Sequence, residues 1–224
     1  MELNLDPRGH VQIEHVVNGP IETNTYFVIS GDEAVVIDPA WEGERLAASF
    51  AERHPNVTIK AMVCTHGHAD HTGGVAGMRR SLGADARYLL PAADAGIVAG
   101  SIAHQKHVWG IDSPDPGVPD VLISEGDTVV VGDVVLQVVS VPGHTLGGVV
   151  LFAATEDGNI AFVGDTLFPG SHGRTDLEGG DEGAIISSLA KMATLLPPDT
   201  LCLTGHGSAT TIADELVHNP FFNR

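Results

Sequence analysis

The chain has 224 residues, with 29 acidic against 11 basic side chains and a formal net charge of −18 at pH 7 with histidine neutral. This length suits one domain with a sizeable core, and 43% hydrophobic residues with 27 glycines suit a turn-rich α/β protein. The charge argues against a nucleic-acid partner, whose phosphates need basic surfaces, and no apolar run reaches membrane-spanning length.

The first ten residues are polar and mixed, without the apolar segment of a secretory leader, so a cytoplasmic location is expected. Residues 11–17, 25–29 and 34–37 then read as strands, with Ser30-Gly31-Asp32 as a turn. A helix is expected over 43–54, with Leu46 and Phe50 on one face. Residues 59–64 read as a buried strand that delivers Thr65-His66-Gly67-His68-Ala69-Asp70-His71. A short helix over 73–82 and a strand over 86–90 follow. Residues 92–107 read as a helix, with His104, His107 and Trp109 at its end, and 111–119 as a loop rich in Pro and Asp. Hairpins are expected from 128–131 with 134–141 around Gly132-Asp133, and from 148–153 with 160–163 around Asp157-Gly158. Residues 181–196 form the clearest helix. Ile185, Leu189, Met192 and Leu196 mark its core face, and Pro197-Pro198 ends it. A last strand over 201–203 and a short helix over 211–217 complete the chain. Cys64 and Cys202 lie in apolar runs and read as buried free thiols.

The stretch from His66 to His71 places four metal-capable side chains within six residues. Buried imidazoles and carboxylates need partners to replace lost hydration, and a divalent cation serves several at once. Four ligands so close in sequence cannot all surround one ion, so His66 and His68 read as serving one metal, and Asp70 and His71 a second. His144, Asp165 and His206 repeat a pattern: an apolar run, a glycine, then a potential ligand, in Pro142-Gly143-His144, Val163-Gly164-Asp165 and Thr204-Gly205-His206. Open α/β architectures place their chemistry at the C-terminal ends of strands in this way. Five histidines and two aspartates are therefore expected to converge on one edge of a sheet core. His10, His15, His54 and His218 lack such context and read as ordinary histidines.

The motif His66-x-His68-x-Asp70-His71, followed in order by His144, Asp165 and His206, resembles that of the metallo-β-lactamase superfamily, and the resemblance runs over nearly the whole chain. It implies an α/β fold, a four-layer αββα sandwich, with residues 1–224 as one domain. It also implies a first metal on His66, His68 and His144, a second on Asp70, His71 and His206, and Asp165 bridging them. Within the superfamily, Gly164-Asp165-Thr166-Leu167-Phe168, Gly173-Arg174-Thr175-Asp176 and the bridging carboxylate are most similar to glyoxalase II-like thioesterases (hydroxyacylglutathione hydrolases). The longer members add a C-terminal domain whose basic residues hold glutathione. Here 18 residues follow His206, so a short form without that site is expected.

The implied reaction is hydrolysis of a thioester, S-D-lactoylglutathione or a related hydroxyacyl thioester. Two divalent metal ions about 3.5–4 Å apart hold a hydroxide at neutral pH, which attacks the carbonyl. Zinc is the first expectation; iron or manganese suit the same ligands. The leaving thiolate (thiol pKa about 8.5) needs no strong acid. Asp70 is the candidate catalytic residue, taking the nucleophile's proton. Arg174 is a candidate anchor for a substrate carboxylate, and His172 either lines the pocket or sits in an exposed turn. The alternative is a persulfide dioxygenase, which resembles the chain in the same motifs and implies one iron on His66, His144 and Asp165. The expected partner is thus a small-molecule thioester, with neither nucleic acid nor membrane.

Overall fold

In the computed structural model, which describes residues 1–222, strand alternation sorts apolar side chains onto opposite faces. β1 (Gln12–Asn18), β2 (Thr23–Ser30), β3 (Glu33–Ile37), β4 (Thr58–Val63), β5 (Arg87–Pro91) and β6 (Val121–Ile123) form a first sheet in that spatial order. Its first three strands pair antiparallel and β3 through β6 pair parallel. The second sheet holds β7 (Thr128–Val131), β8 (Val134–Ser140), β9 (Val149–Thr155), β10 (Gly158–Gly164), β13 (Leu201–Thr204) and β14 (Thr210–Thr211), ordered β14-β13-β10-β9-β8-β7. Between β10 and β13 in the chain, β11 (Leu167–Phe168) and β12 (Ser171–His172) form a small separate hairpin.

Tyr26, Val28, Val35, Ile37 and Val63 of the first sheet cluster with Val129, Leu136, Val138, Leu151 and Phe162 of the second. The intervening residues Phe27, Ile29, Val36 and Met62 form another cluster with Leu46 and Phe50 of α1 (Gly43–Arg53) and with Val75 and Met78 of α3 (Val75–Leu82). On the far side, Val150, Phe152, Ala161 and Val163 meet Leu189 and Met192 of α5 (Glu182–Leu195) and Ile212 of α6 (Ile212–His218). The layers are helix, sheet, sheet, helix, the αββα sandwich expected. Both faces of the central strands are covered, so β2 and β9 are buried at every residue, and β9 reads as a nearly continuous apolar run rather than as clean alternation. Among the described residues no helix is long and apolar enough to cross a membrane.

Several segments differ from expectation. The helix expected over 73–82 forms as α3, but a further helical turn, α2 (Ala69–Thr72), precedes it and is set off from it at Gly73-Gly74, which lie against the Pro39–Ala40 backbone, with Gly74 N–H donating to Pro39 O at 2.7 Å. The helix expected over 92–107 begins as a 3₁₀ turn at Ala92–Asp94 and becomes α4 only at Val98–Trp109. There the Asp94 side chain turns inward to backbone groups of other loops. β6, β11, β12 and β14 have two or three residues each, too few to show a period. The helix over 181–196 forms as α5, capped by the Asp181 carboxylate on Ala184 N–H at 2.7 Å.

The two sheets are also tied directly at the edge where the ligand motifs emerge. Asn24 N–H donates to Gly205 O at 2.7 Å, Asn24 Nδ2 to Thr204 O at 2.9 Å, and Tyr26 OH to the same Thr204 carbonyl at 2.8 Å. A bridge pairs Thr23 with His206.

α1 and α3 touch backbone to backbone at Gly43. A Cβ there would collide with the Gly74 carbonyl and come within 2.6 Å of Met78 N. Gly43→Ala is therefore expected to cost about 1–3 kcal/mol by overpacking, read as a lowered midpoint in urea unfolding. Exposed Gly96, with nothing within 4 Å of a Cβ, is the control, and Gly96→Ala should stay within about 0.5 kcal/mol of the parent.

Candidate metal centre

Strand ends supply every side chain of the centre. His66 and His68 lie in the loop after β4, and Asp70 and His71 lie on α2 just beyond it. His144 follows β8, Asp165 follows β10 and His206 follows β13. Glycine is required where these turns crowd together. A Cβ on Gly205 would strike Asp165 Oδ1 and approach His71 Cε1 to 2.7 Å.

All seven sequence-predicted ligands meet at this edge. His66, His68 and His144 bring one ring nitrogen each to within 4.8 Å of one another, and Asp70, His71 and His206 form a second such group. His66, His71 and Asp165 form a third, which links the other two. Within the first group, His68 Nδ1 and His144 Nε2 lie 2.9 Å apart. Within the second, Asp70 Oδ2 lies 3.2 Å from His206 Nε2 and 3.3 Å from His71 Nε2. Asp165 sits between them. Its Oδ2 is 3.6 Å from His144 Nε2 and 3.5 Å from His206 Nε2, and its Oδ1 is 3.4 Å from His71 Nε2.

His66 Nε2, His71 Nε2 and Asp165 Oδ1 are buried without a hydrogen-bond partner. Each unpaired buried polar group costs roughly 1–3 kcal/mol, and all three belong to this cluster. Divalent cations relieve that cost, and an imidazole and carboxylate donor set suits zinc, iron or manganese. The residues therefore fit metal ions by their own chemistry.

The outward nitrogens fix which ring atom faces inward. His66 Nδ1 faces Thr65 Oγ1 at 3.1 Å, His71 Nδ1 faces Asp38 Oδ2 at 3.0 Å, His144 Nδ1 faces Arg174 O at 2.7 Å and His206 Nδ1 faces Ile21 O at 3.1 Å. Each such acceptor holds the proton on Nδ1 and leaves Nε2 free toward the centre. Asp38, which sequence reasoning missed, also accepts from Thr65 N–H at 2.7 Å and Thr65 Oγ1 at 2.8 Å. It is buried just past β3 and holds a left-handed backbone with φ 49°, a conformation aspartate tolerates better than most residues. The signal available in Val36-Ile37-Asp38-Pro39 was a carboxylate directly after a buried strand, the same pattern as Asp165.

Charge divides the two groups. Burial, then the neighbouring His71, His68 and His144 rings, push His66 well below the usual histidine range. Burial and His144 push His68 down to about 4. Burial pushes His71 the same way, but Asp70, Asp165 and Asp38 outweigh it and hold His71 well above its ordinary value. His206 is raised as well, because the hydrogen bond to Asp70 and the charge of Asp165 outweigh burial. Burial would raise the Asp70 and Asp165 carboxyls, yet the surrounding histidines, His71 first, hold both below the usual carboxylate range. Beneath the site, Cys64 Sγ donates to His71 O at 3.6 Å, and burial pushes this free thiol well up.

The two candidate substrate residues lie outside the cluster. The Arg174 guanidinium makes a two-pronged pair with Asp176, at 2.7 and 2.8 Å, on the exposed side. What Arg174 gives the centre is its carbonyl, the acceptor for His144. His172 lies half-buried on the β11–β12 hairpin. Its ring packs edge-on against Phe221 at 4.3 Å, and its Nε2 is 3.5 Å from Glu182 Oε1. Asn219 Nδ2 holds the same hairpin through Ser171 O at 3.0 Å. A cavity of about 230 Å³ opens beside His68, walled by Ile97, Gly100, Ser101 and His104 on one side and by Leu177 and Glu178 on the other.

Residues 18–206 match the family model of the metallo-β-lactamase superfamily. A hydroxyacylglutathione hydrolase, GloC, of Haemophilus influenzae is 33% identical over 85% of this chain and 87% of its own. The crystal structure of the BLEG-1 B3 metallo-β-lactamase superposes with a TM-score of 0.84 at 30% identity, over 95% of this chain and 100% of that one. TTHA1623, solved in a di-iron-bound form, superposes at 0.82 with 36% identity, over 93% and 99%.

Two outcomes are expected. Metal binding must displace any proton from the ligand nitrogen, and His71 and His206 hold protons to higher pH than His66 and His68. On stepwise acidification the Asp70–His71–His206 group should release its ion at a higher pH than the all-histidine group, read as two separate losses of zinc in dialysed protein. Gly205→Ala should displace Asp165 and lower zinc uptake by about 10-fold or more, measured by competition with a chromophoric chelator.

Proposed function

The chain belongs to the metallo-β-lactamase superfamily, and we propose that it is a metal-dependent hydrolase that cleaves a thioester, S-D-lactoylglutathione or a related hydroxyacyl thioester. The observation that carries this reading is the pair of donor groups joined through Asp165, together with the likeness to a hydroxyacylglutathione hydrolase. His66, His68 and His144 would hold one divalent ion, Asp70, His71 and His206 the other, with Asp165 between them and zinc as the first candidate. Such ions supply a water of lowered pKa as nucleophile and a Lewis acid for the carbonyl oxygen.

The remaining steps fall to the chain's own residues. His66 and His68 stay neutral at physiological pH, so their nitrogens remain available as ligands. Asp70 stays ionised and accepts from Thr23 Oγ1 at 3.4 Å. Beside the donor nitrogens of His71 and His206, Asp70 is the residue placed to take the nucleophile's proton. The cavity beside His68 admits one arm of the substrate between α4 and the loop at Leu177. A thiolate leaves without a strong acid. Arg174 anchors a substrate carboxylate only by exchanging Asp176 for it, and His172 steadies the hairpin after Asp165.

The persulfide dioxygenase reading rests on one observation. Asp165 Oδ2 lies 3.6 Å from His144 Nε2, and His66 belongs both to the donor group with His144 and to the one with Asp165, the residues a two-histidine, one-carboxylate iron site would use. Protein purified without added metal separates the two readings. Two ions per chain with thiol release from S-D-lactoylglutathione is the expected result. One iron with oxygen uptake on glutathione persulfide replaces the hydrolase by the dioxygenase. In the same assay Arg174→Ala is expected to raise KM several-fold with kcat retained; an unchanged KM removes the anchoring role.

A further inference from the structure

We propose that Asp94 is a positioning residue for the first donor group alone, so that removing its carboxylate weakens the binding of one ion and leaves the other unchanged. This rests on the two-group reading above. Asp94 is fully buried in the turn between β5 and α4, yet its carboxylate touches none of the seven donor side chains. Its Oδ2 accepts from Gly67 N–H at 2.8 Å and from Thr145 Oγ1 at 2.8 Å, and its Oδ1 accepts from Gly147 N–H at 2.6 Å.

The position of these three partners carries the inference. Gly67 separates His66 from His68, and Thr145 directly follows His144. One carboxylate thus pins together the two loops that carry all three donors of the first group. Those loops come from different sheets, one after β4 and the other after β8. None of its three bonds reaches the backbone of Asp70, His71 or His206.

Close approach is built in on both sides. A Cβ on Gly67 would stand 3.0 Å from Asp94 Cβ and 3.0 Å from its carbonyl oxygen. A Cβ on Gly147 would stand 2.6 Å from Asp94 Oδ1 and 2.7 Å from Asp94 N. A buried carboxylate with three donors is also stiff. Its loss leaves the Gly67 and Gly147 N–H groups without their acceptor.

Asp38 makes the contrast. It bonds Thr65, which in turn meets His66, and it bonds His71 directly. It therefore serves both groups, whereas Asp94 serves one.

A double-mutant cycle tests this, with zinc affinity measured by calorimetry against a competing chelator and the cobalt-loaded absorption spectrum as a second readout. The parent should take up two ions. Asp94→Asn preserves shape but offers one acceptor oxygen, and should weaken one ion by about 10- to 100-fold, the usual range for an outer-shell partner, with the other unchanged. In a His206→Ala background, where the second group is crippled, Asp94→Asn should weaken the remaining ion by the same factor. In a His144→Ala background it should change nothing further. Thr145→Val removes one bond without burying an unpaired charge; it should act in the same direction, and it covers the case in which Asp94→Asn folds poorly. Equal effects in the two backgrounds, or none in either, overturn the inference and make Asp94 a general fold contact. A parent that binds fewer than two ions overturns the two-group reading beneath it.

Discussion

Five imidazoles and two carboxylates share one buried edge of the sandwich, and their mutual repulsion and lost hydration constrain everything around them. The ring nitrogens of His66 and His71 and one oxygen of Asp165 find no partner within the protein, which fits them to cations, and hydrophobic burial elsewhere in the chain holds that edge in place. The fold answers with three apolar clusters, one between the sheets and one under each helical layer, and with direct ties across the edge from Asn24 and Tyr26 to the strand that precedes His206. The centre is thus set on rigid strand ends.

Electrostatics at this edge are set by its own residues rather than by the global charge. The chain carries −18 overall, yet histidines dominate the centre, and the carboxylates among them are held ionised by those histidines. The first donor group contains imidazole alone, and its members suppress one another's protonation. The second contains Asp70 and is faced by Asp38 and Asp165, so its histidines hold protons more firmly. Two groups a few ångströms apart therefore differ in charge, proton affinity and softness as ligands. The shared carboxylate of Asp165 couples them.

Most of the strands, and the donors His144, Asp165 and His206, were legible in the sequence from local pattern, an apolar run, a glycine, then a histidine or aspartate; His66, His68, Asp70 and His71 stood out by their density, and the αββα layering followed from the resemblance alone. Membership of a recognisable motif added order and pairing that spacing alone could not. Asp38 and Asp94 went unread for a physical reason. Asp38 carries the strand-end pattern of Asp165, but its partners Thr65 and His71 lie far away in sequence. Asp94 bonds Gly67, Thr145 and Gly147, equally far away, and nothing nearby distinguishes it from a helix-start aspartate. The same inward turn of Asp94 explains why the helix expected from residue 92 starts later. The guanidinium of Arg174 is a further case. Its pairing with Asp176 and its carbonyl's role toward His144 both depend on backbone direction, which composition does not carry.

Asp38 and Asp94 together show how such a centre is tuned without touching a ligand atom twice. Asp38 acts through a side chain, accepting from His71 Nδ1 and from the Thr65 hydroxyl that meets His66, so its effect spreads over both groups as a polarising charge. Asp94 acts through main-chain N–H groups and one hydroxyl, so its effect is positional and confined to the loops it pins. A buried carboxylate aimed at a ring alters basicity; one aimed at the backbone beside a ring alters where that ring stands. The first donor group, whose histidines have no acidic member of their own, draws on the second kind of support: Asp94 holds the two loops on which His68 Nδ1 and His144 Nε2 come within 2.9 Å of each other.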